Sequence, residues 1–135
     1  MKKLNLKLDK SLSEGIRIYA ESKGVNVVVA VCNAEGNPIT VDVMDGAFII
    51  SYQVAMKKAY TSVGVKMSTE DLGNAVKKGG VLEGLHDERL IFFGGGAPLY
   101  IDGELVGGFG VSGGTVEEDS GFAKFGVELF KQLIK

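Results

Sequence analysis

Four side chains of this sequence could carry chemistry if the fold brought them together: Asp45, Lys58, His86 and Ser112. A carboxylate, an amine, an imidazole and a hydroxyl converging on one pocket would suit acid–base or nucleophilic work on a small hydroxy acid, diol or aldehyde. Each has a plainer use as well. Asp45, ahead of Gly46, has the type and place of a helix cap. Lys58 lies mid-helix, where lysine usually points to solvent, yet it adjoins an apolar stripe at Ala59 that would turn it into a groove. His86, in Gly84-Leu85-His86-Asp87-Glu88, is the sole imidazole available to a metal or haem iron, and otherwise an ordinary loop residue. With no second histidine or cysteine beside it a closed zinc site cannot form. The lack of a C-x-x-C-H run excludes covalent haem attachment.

Glycine is the unusual residue, with 20 copies that cluster in the second half of the chain. Gly110-Val111-Ser112-Gly113-Gly114 fits G-x-S-x-G, but a serine nucleophile needs a base within reach on a parallel sheet, and His86 precedes it on a sheet read here as antiparallel. Gly108-Phe109-Gly110-Val111-Ser112-Gly113 fits G-x-G-x-x-G. A dinucleotide site would need a further parallel strand after the helix, and Glu117, Glu118 and Asp119 in the first helical turn would repel a phosphate. The plainer reading is that Gly107, Gly108 and Gly110 let a helix approach a strand closely while Ser112 to Gly114 turn the chain. Gly94-Gly95-Gly96-Ala97-Pro98 carries two readings of equal weight: a side-chain-free wall of a ligand pocket, or a crossing between strands.

The elements that must position these groups follow from periodicity. Ser11 with Glu14 has capping-box spacing, and Leu12, Ile16, Tyr19 and Ala20 share one face up to Gly24, so a first helix is expected over 11–23. Val25 to Cys32 is nearly continuous and β-branched, as in a strand covered on both faces. Ala34-Glu35-Gly36-Asn37-Pro38 turns the chain into the alternating strand Ile39 to Val43. Phe48, Tyr52, Ala55, Met56, Ala59 and Val63 recur at helical spacing, which places Tyr52, Lys58 and Tyr60 on a long second helix. Ser68 starts a shorter helix that ends near Lys77. Leu90-Ile91-Phe92-Phe93 and Leu99-Tyr100-Ile101 read as strands. Asp102-Gly103 is a hairpin turn into Glu104 to Val111, and Thr115 with Glu118 caps a last helix. The expected order is α-β-β-α-α-β-β-β-α: an α+β fold with a mostly antiparallel sheet of about five strands under amphipathic helices.

One domain spanning 1–135 is expected from the length, and 45% hydrophobic content suffices for a core. Fifteen basic against 17 acidic residues, a formal charge of -2, argue against a general nucleic-acid binder. Lys7 and Asp9 interrupt any apolar run after Met1-Lys2-Lys3, so no signal peptide or membrane span is expected, and the cytoplasm is the default compartment. Cys32, in an apolar run, reads as a small buried hydrophobe.

Met44-Asp45-Gly46-Ala47, Lys58-Ala59-Tyr60-Thr61, Gly94-Gly95-Gly96-Ala97-Pro98-Leu99 and Gly110-Val111-Ser112-Gly113-Gly114-Thr115 together resemble the GlcG/HbpS family of haem-degrading or haem-binding proteins. That family includes the C-terminal domain of PduO-type corrinoid adenosyltransferases, to which Gly80-Val81-Leu82-Glu83-Gly84-Leu85-His86 looks closest. The resemblance runs from the first helix to Phe130. It implies a profilin-like layered fold with a five-stranded antiparallel sheet, assembled as dimers or higher homo-oligomers. It also implies haem or iron binding in some relatives, and a link to diol, glycerol or glycolate breakdown in others. The function it suggests is a small-ligand-binding module for haem or a corrinoid-related tetrapyrrole, with an enzyme on small hydroxy acids, diols or aldehydes, or a structural homo-oligomer, as alternatives. The expected groove lies near the second helix and the Gly94 to Pro98 loop. Asp45, Tyr52, Lys58 and Tyr60 would face it, as would His86, the backbone of Gly94, Gly95, Gly96 and Pro98, and the turn at Ser112 and Gly113. Tyr19 and Glu21 leave the first helix without a histidine, so an iron ligand would have to be His86, Tyr52 or Tyr60.

Overall fold

A computed structural model describes residues 3–135; Met1 and Lys2, where no signal peptide was expected, lie outside the described residues. The first helix, α1 (Leu6–Ser22), begins five residues earlier than Ser11. Asn5 is extended and its side chain accepts from the Leu8 N–H at 2.8 Å, so a cap read at Ser11 is displaced by a better one upstream. Gly24 closes the helix at a φ of 75°.

The sheet has four antiparallel strands in the order β2-β1-β4-β3: β1 (Val28–Asn33), β2 (Pro38–Val43), β3 (Gly96–Ile101) and β4 (Glu104–Ser112). The expected five strands are therefore four, and the order is α-β-β-α-α-β-β-α. The missing strand is Leu90 to Phe93. Its Ile91 N–H donates to the Thr61 hydroxyl at 3.0 Å, so this apolar run lies along a helix and finds its hydrogen-bond partner in a side chain. A four-residue apolar run has no period by which to tell these outcomes apart.

Both hairpins stand where the turns were read. Asp102 and Gly103 take φ values of 50° and 80°, the left-handed pair that a two-residue turn requires. β1 is covered on both faces. Val27, Val29 and Val31 pack with Leu12, Ile16, Phe122 and Phe130 beneath α1 and α4 (Val116–Leu133), while Val28, Ala30 and Cys32 pack with Ala55, Ala59 and Val63 of α2 (Ser51–Val65). Burial pushes the Cys32 thiol up to about 12, leaving it an inert hydrophobe.

Gly108 and Gly110 point at α2. A Cβ at Gly110 would meet the Ala55 carbonyl, and one at Gly108 the Ser62 hydroxyl, so these glycines let the helix lie directly on the strand. α2 has no side-chain cap. It starts at Ser51 behind Ile50, and Asp45, which was read as its cap, lies in the preceding turn. The other caps fall as expected: Ser68 accepts from the Asp71 N–H at the head of α3 (Thr69–Val76), and Thr115 with Glu118 forms a complete capping box on α4. Among the described residues no helix is long and apolar enough to cross a membrane.

Candidate functional site

Small residues dictate the centre of the molecule. On α2 the spacing of Ala55, Lys58, Ala59 and Ser62 puts one lysine on the face that lies against β4, so its long side chain must travel through the interior. Lys58 is fully buried. Its ammonium donates to the Val111 carbonyl at 2.8 Å and to the Asp119 carboxylate at 3.1 Å, and lies 5.2 Å from the centre of the Phe93 ring. Burial lowers the Lys58 pKa, and Asp119 works against that shift. Asp119 also accepts from the N–H groups of Gly113 (3.3 Å) and Gly114 (2.9 Å). One carboxylate thus ties the amine to the turn that opens α4.

The three consecutive glycines make room for residues of two helices. A Cβ at Gly94 would coincide with the Ser120 hydroxyl. One at Gly95, whose φ is 130°, would strike the Lys58 ammonium, and one at Gly96 the Lys58 carbonyl. The backbone expected to bound a hollow beside the second helix is filled there by Lys58. A hollow does open on the other side of Gly95 and Gly96, between α3 and α4, with a volume of about 220 Å³.

The remaining candidate residues are dispersed. Ser112 is buried and its hydroxyl donates to that of Ser51 at 3.3 Å. Asp45 lines an open hollow by α1 with Glu14, Arg17 and Glu21. Gly113 lines another with Gly46, Phe48 and Gly114. Pro98 pairs with Gly108 inside the sheet, and Tyr52 projects from α2 46% exposed. His86 is exposed on its loop, its ring 6.5 Å from that of Phe92 and nearly parallel to it. No described hollow is lined by two of Asp45, Lys58, His86 and Ser112, although the Lys58 ammonium reaches the carbonyl of Val111, next to Ser112, at 2.8 Å. Among the described residues no cluster of three His, Cys, Asp or Glu side chains could hold a metal ion.

Tyr60 stands differently. It borders an open, mostly apolar groove of about 480 Å³ on the outer side of α2, with Met56, Lys57, Gln53, Arg89, Gly36 and Pro38. The Tyr60 ring lies on Gly36 in the first hairpin turn, where a Cβ would come within 2.9 Å of it. Arg89 is aimed by Asp87 through two bonds, Nη2 to Oδ2 at 2.8 Å and Nε to Oδ1 at 3.0 Å, and it also interacts with Tyr60. These bonds hold the Asp87 carboxyl well below the usual carboxylate range. A phenol, a thioether and two cations thus meet on one apolar surface. Met56, Arg89, Ser120 and Asp119 were not among the residues expected to matter; the small-residue spacing around Lys58 was the one signal that called for a buried partner.

Comparison with known proteins places this geometry. Residues 4–128 match the family model for haem degrading protein HbpS-like. An uncharacterised 15.0 kDa protein from the dhaT-dhaS intergenic region of Citrobacter freundii is 34% identical over 133 residues, covering 96% of this chain and 94% of that one. The corrinoid adenosyltransferase PduO of Salmonella typhimurium is 39% identical over 108 residues, 78% of this chain, and the match spans about a third (32%) of PduO's own length. A crystal structure of a PduOC:heme complex superposes with a TM-score of 0.88 at 34% identity over 94% of each chain. The chain belongs to the HbpS-like family and stands close to the C-terminal domain of PduO.

Proposed function

We propose that this chain is a small-ligand-binding module whose ligand is a haem-type tetrapyrrole, held in the groove on the outer side of α2. The observation that carries this reading is the convergence at that groove of an apolar surface with Tyr60, Met56, Lys57 and Arg89. Its volume of about 480 Å³ falls within the roughly 300–1,000 Å³ typical of ligand sites, as do those of the hollows lined by Asp45 and by Gly113, and its mostly apolar wall sets it apart from them. The Tyr60 phenol, of a type that holds haem iron in proteins, would hold the iron, with Met56 as apolar wall beside it. Lys57 and Arg89 would pair the two propionates, Arg89 through the guanidinium N–H groups that Asp87 leaves free. A corrin carries neutral amides at its rim, so two cations favour a porphyrin dicarboxylate. When bound, haem supplies an iron centre able to take small ligands or exchange an electron.

The haem complex of the PduO C-terminal domain and the family's description support this assignment, and the dhaT-dhaS neighbour supports a role accessory to diol or glycerol breakdown. Cytoplasmic location and self-association complete the proposal. The exposed run Phe48, Ile49 and Ile50, the second of these 96% exposed, is the apolar surface that a second copy would cover.

Haemin titrated into the purified protein should bind saturably with a shifted Soret band. Changing both Lys57 and Arg89 to glutamine should weaken binding about tenfold and flatten its salt dependence. Cobalamin should compete poorly. Binding unchanged in the double variant, or cobalamin bound more tightly than haemin, would remove this assignment.

A further inference from the structure

The groove on the outer side of α2 carries an uneven set of donors. Gln53, Met56, Lys57 and Tyr60 line it from α2 at helical spacing and Arg89 from the loop after α3, while Gly36 and Pro38 of the first hairpin bring no side-chain donor. Tyr60 alone among these can offer an anion. Its ring rests on Gly36, it is 37% exposed, and Arg89, itself held by Asp87, sets a positive charge beside it. The imidazole and the thiol of the chain stand elsewhere: His86 does not line the groove, and Cys32 is enclosed in the core. Met56 is the one soft donor present. It lies one helical turn from Tyr60 on the same face, and iron has a single axial position on that side.

Resting on the haem reading of this groove, we infer that Tyr60 makes it selective for oxidation state: the groove takes ferric haem and gives it up on reduction. A phenolate is a hard oxygen anion whose attraction to iron grows with the charge on the metal, so it favours the ferric over the ferrous state. Lys57 and Arg89 meet the propionates in both states and cancel in the comparison. The exchange balances with one electron and one proton. When a low-potential one-electron donor reduces the iron, the bond between iron and the Tyr60 oxygen breaks, water supplies a proton and the Tyr60 O–H bond re-forms; on uptake of ferric haem that proton leaves. A preference of about a hundredfold is expected, which by linkage sets the midpoint potential of bound haem about 120 mV below that of free haem, at about 59 mV per tenfold for one electron. That is a modest part of the roughly 0.8 V over which axial ligands tune haem.

The test is a pair of Soret titrations of the purified protein, one with haemin in air and one with haem kept ferrous by dithionite under argon. Gallium(III) protoporphyrin serves as a trivalent probe that dithionite does not reduce. Ferrous haem should bind about a hundredfold more weakly than haemin, and dithionite should leave the gallium complex intact. Tyr60→Phe should lower the ferric affinity, leave the ferrous one unchanged and so close the gap, with circular dichroism reporting that the variant is folded. Equal ferric and ferrous affinities in a wild type that binds haemin would overturn this inference alone and leave the groove reading in place. A gap undiminished in Tyr60→Phe would overturn it as well, and tighter ferrous binding would do so by assigning the iron to the Met56 thioether. An absence of haemin binding would remove the groove reading and this inference together.

Discussion

Replacing Asp119 with alanine is expected to remove about 3–5 kcal/mol of folding stability, a large share of the roughly 5–15 kcal/mol available to a domain of this size. The cause is the ammonium left behind. Lys58 is wholly enclosed, and without Asp119 its remaining acceptor is the Val111 carbonyl at 2.8 Å. The N–H groups of Gly113 and Gly114 lose their acceptor as well. Lys58→Met should cost less, because Asp119 keeps both glycine N–H groups while methionine refills the channel. The double variant should be no less stable than Asp119→Ala alone, since the ammonium that Asp119 neutralises is gone. Urea denaturation of the four proteins measures the cycle. Additive losses, or a loss below about 1 kcal/mol in Asp119→Ala, would show that the pair does not hold the centre together.

The second large effect is a pH dependence set by Asp9. This carboxylate lies on the buried face of α1, is 1% exposed, and has one oxygen without a partner. Burial raises its pKa from 3.8 to about 6. A group raised on folding contributes its stability below its unfolded value and loses that contribution as pH climbs through its folded value. Stability should therefore fall by about 2 kcal/mol between pH 4 and pH 7, by the rule that one pKa unit corresponds to about 1.4 kcal/mol. Asp42 acts in the opposite sense and at lower pH. Burial pushes its carboxyl up, but the Ser13 hydroxyl at 2.6 Å and Lys10 at 3.2 Å outweigh it and set a net lowering. Its contribution disappears as pH drops below the ordinary carboxylate range. A maximum in stability near pH 4–5 is the expected result, and Asp9→Asn should flatten the limb between pH 4 and pH 7. Thermal melts across that range check it; a limb unaltered in Asp9→Asn would assign the effect elsewhere.

Much of the fold was legible because single residues settle it. β1 could be placed at the centre because its apolar residues leave no face for water, and the turn at Asp102-Gly103 could be placed because its two left-handed residues admit few alternatives. Asn5 was not legible as the cap of α1, since Ser11 with Glu14 satisfies the same pattern inside the helix. That displacement also hid Asp9, which lies on the buried face only once the helix is known to start at Leu6. Leu90 to Phe93 misled for want of length.

The site was harder to read than the fold. The triple glycine was visible, but its reason depends on Lys58 and Ser120 arriving from two different helices, a coincidence in space that no local spacing encodes. Arg89 reaches Tyr60 only because the loop after α3 runs back over α2, anchored by Ile91 on Thr61. Tyr60 could be nominated by its chemistry; its groove could not. His86 could be nominated on the same ground, and the structure leaves it outside every described hollow.

The assignment of the α2 groove is tested most directly by absorption and electron paramagnetic resonance spectra of the ferric haem complex in three proteins: wild type, Tyr60→Phe and His86→Ala. The groove reading predicts that Tyr60→Phe changes the spectrum and weakens haemin binding about tenfold or more, while His86→Ala reproduces the wild type. A Tyr60→Phe protein with unaltered spectrum and affinity, or a complex lost only on removing His86, would contradict it.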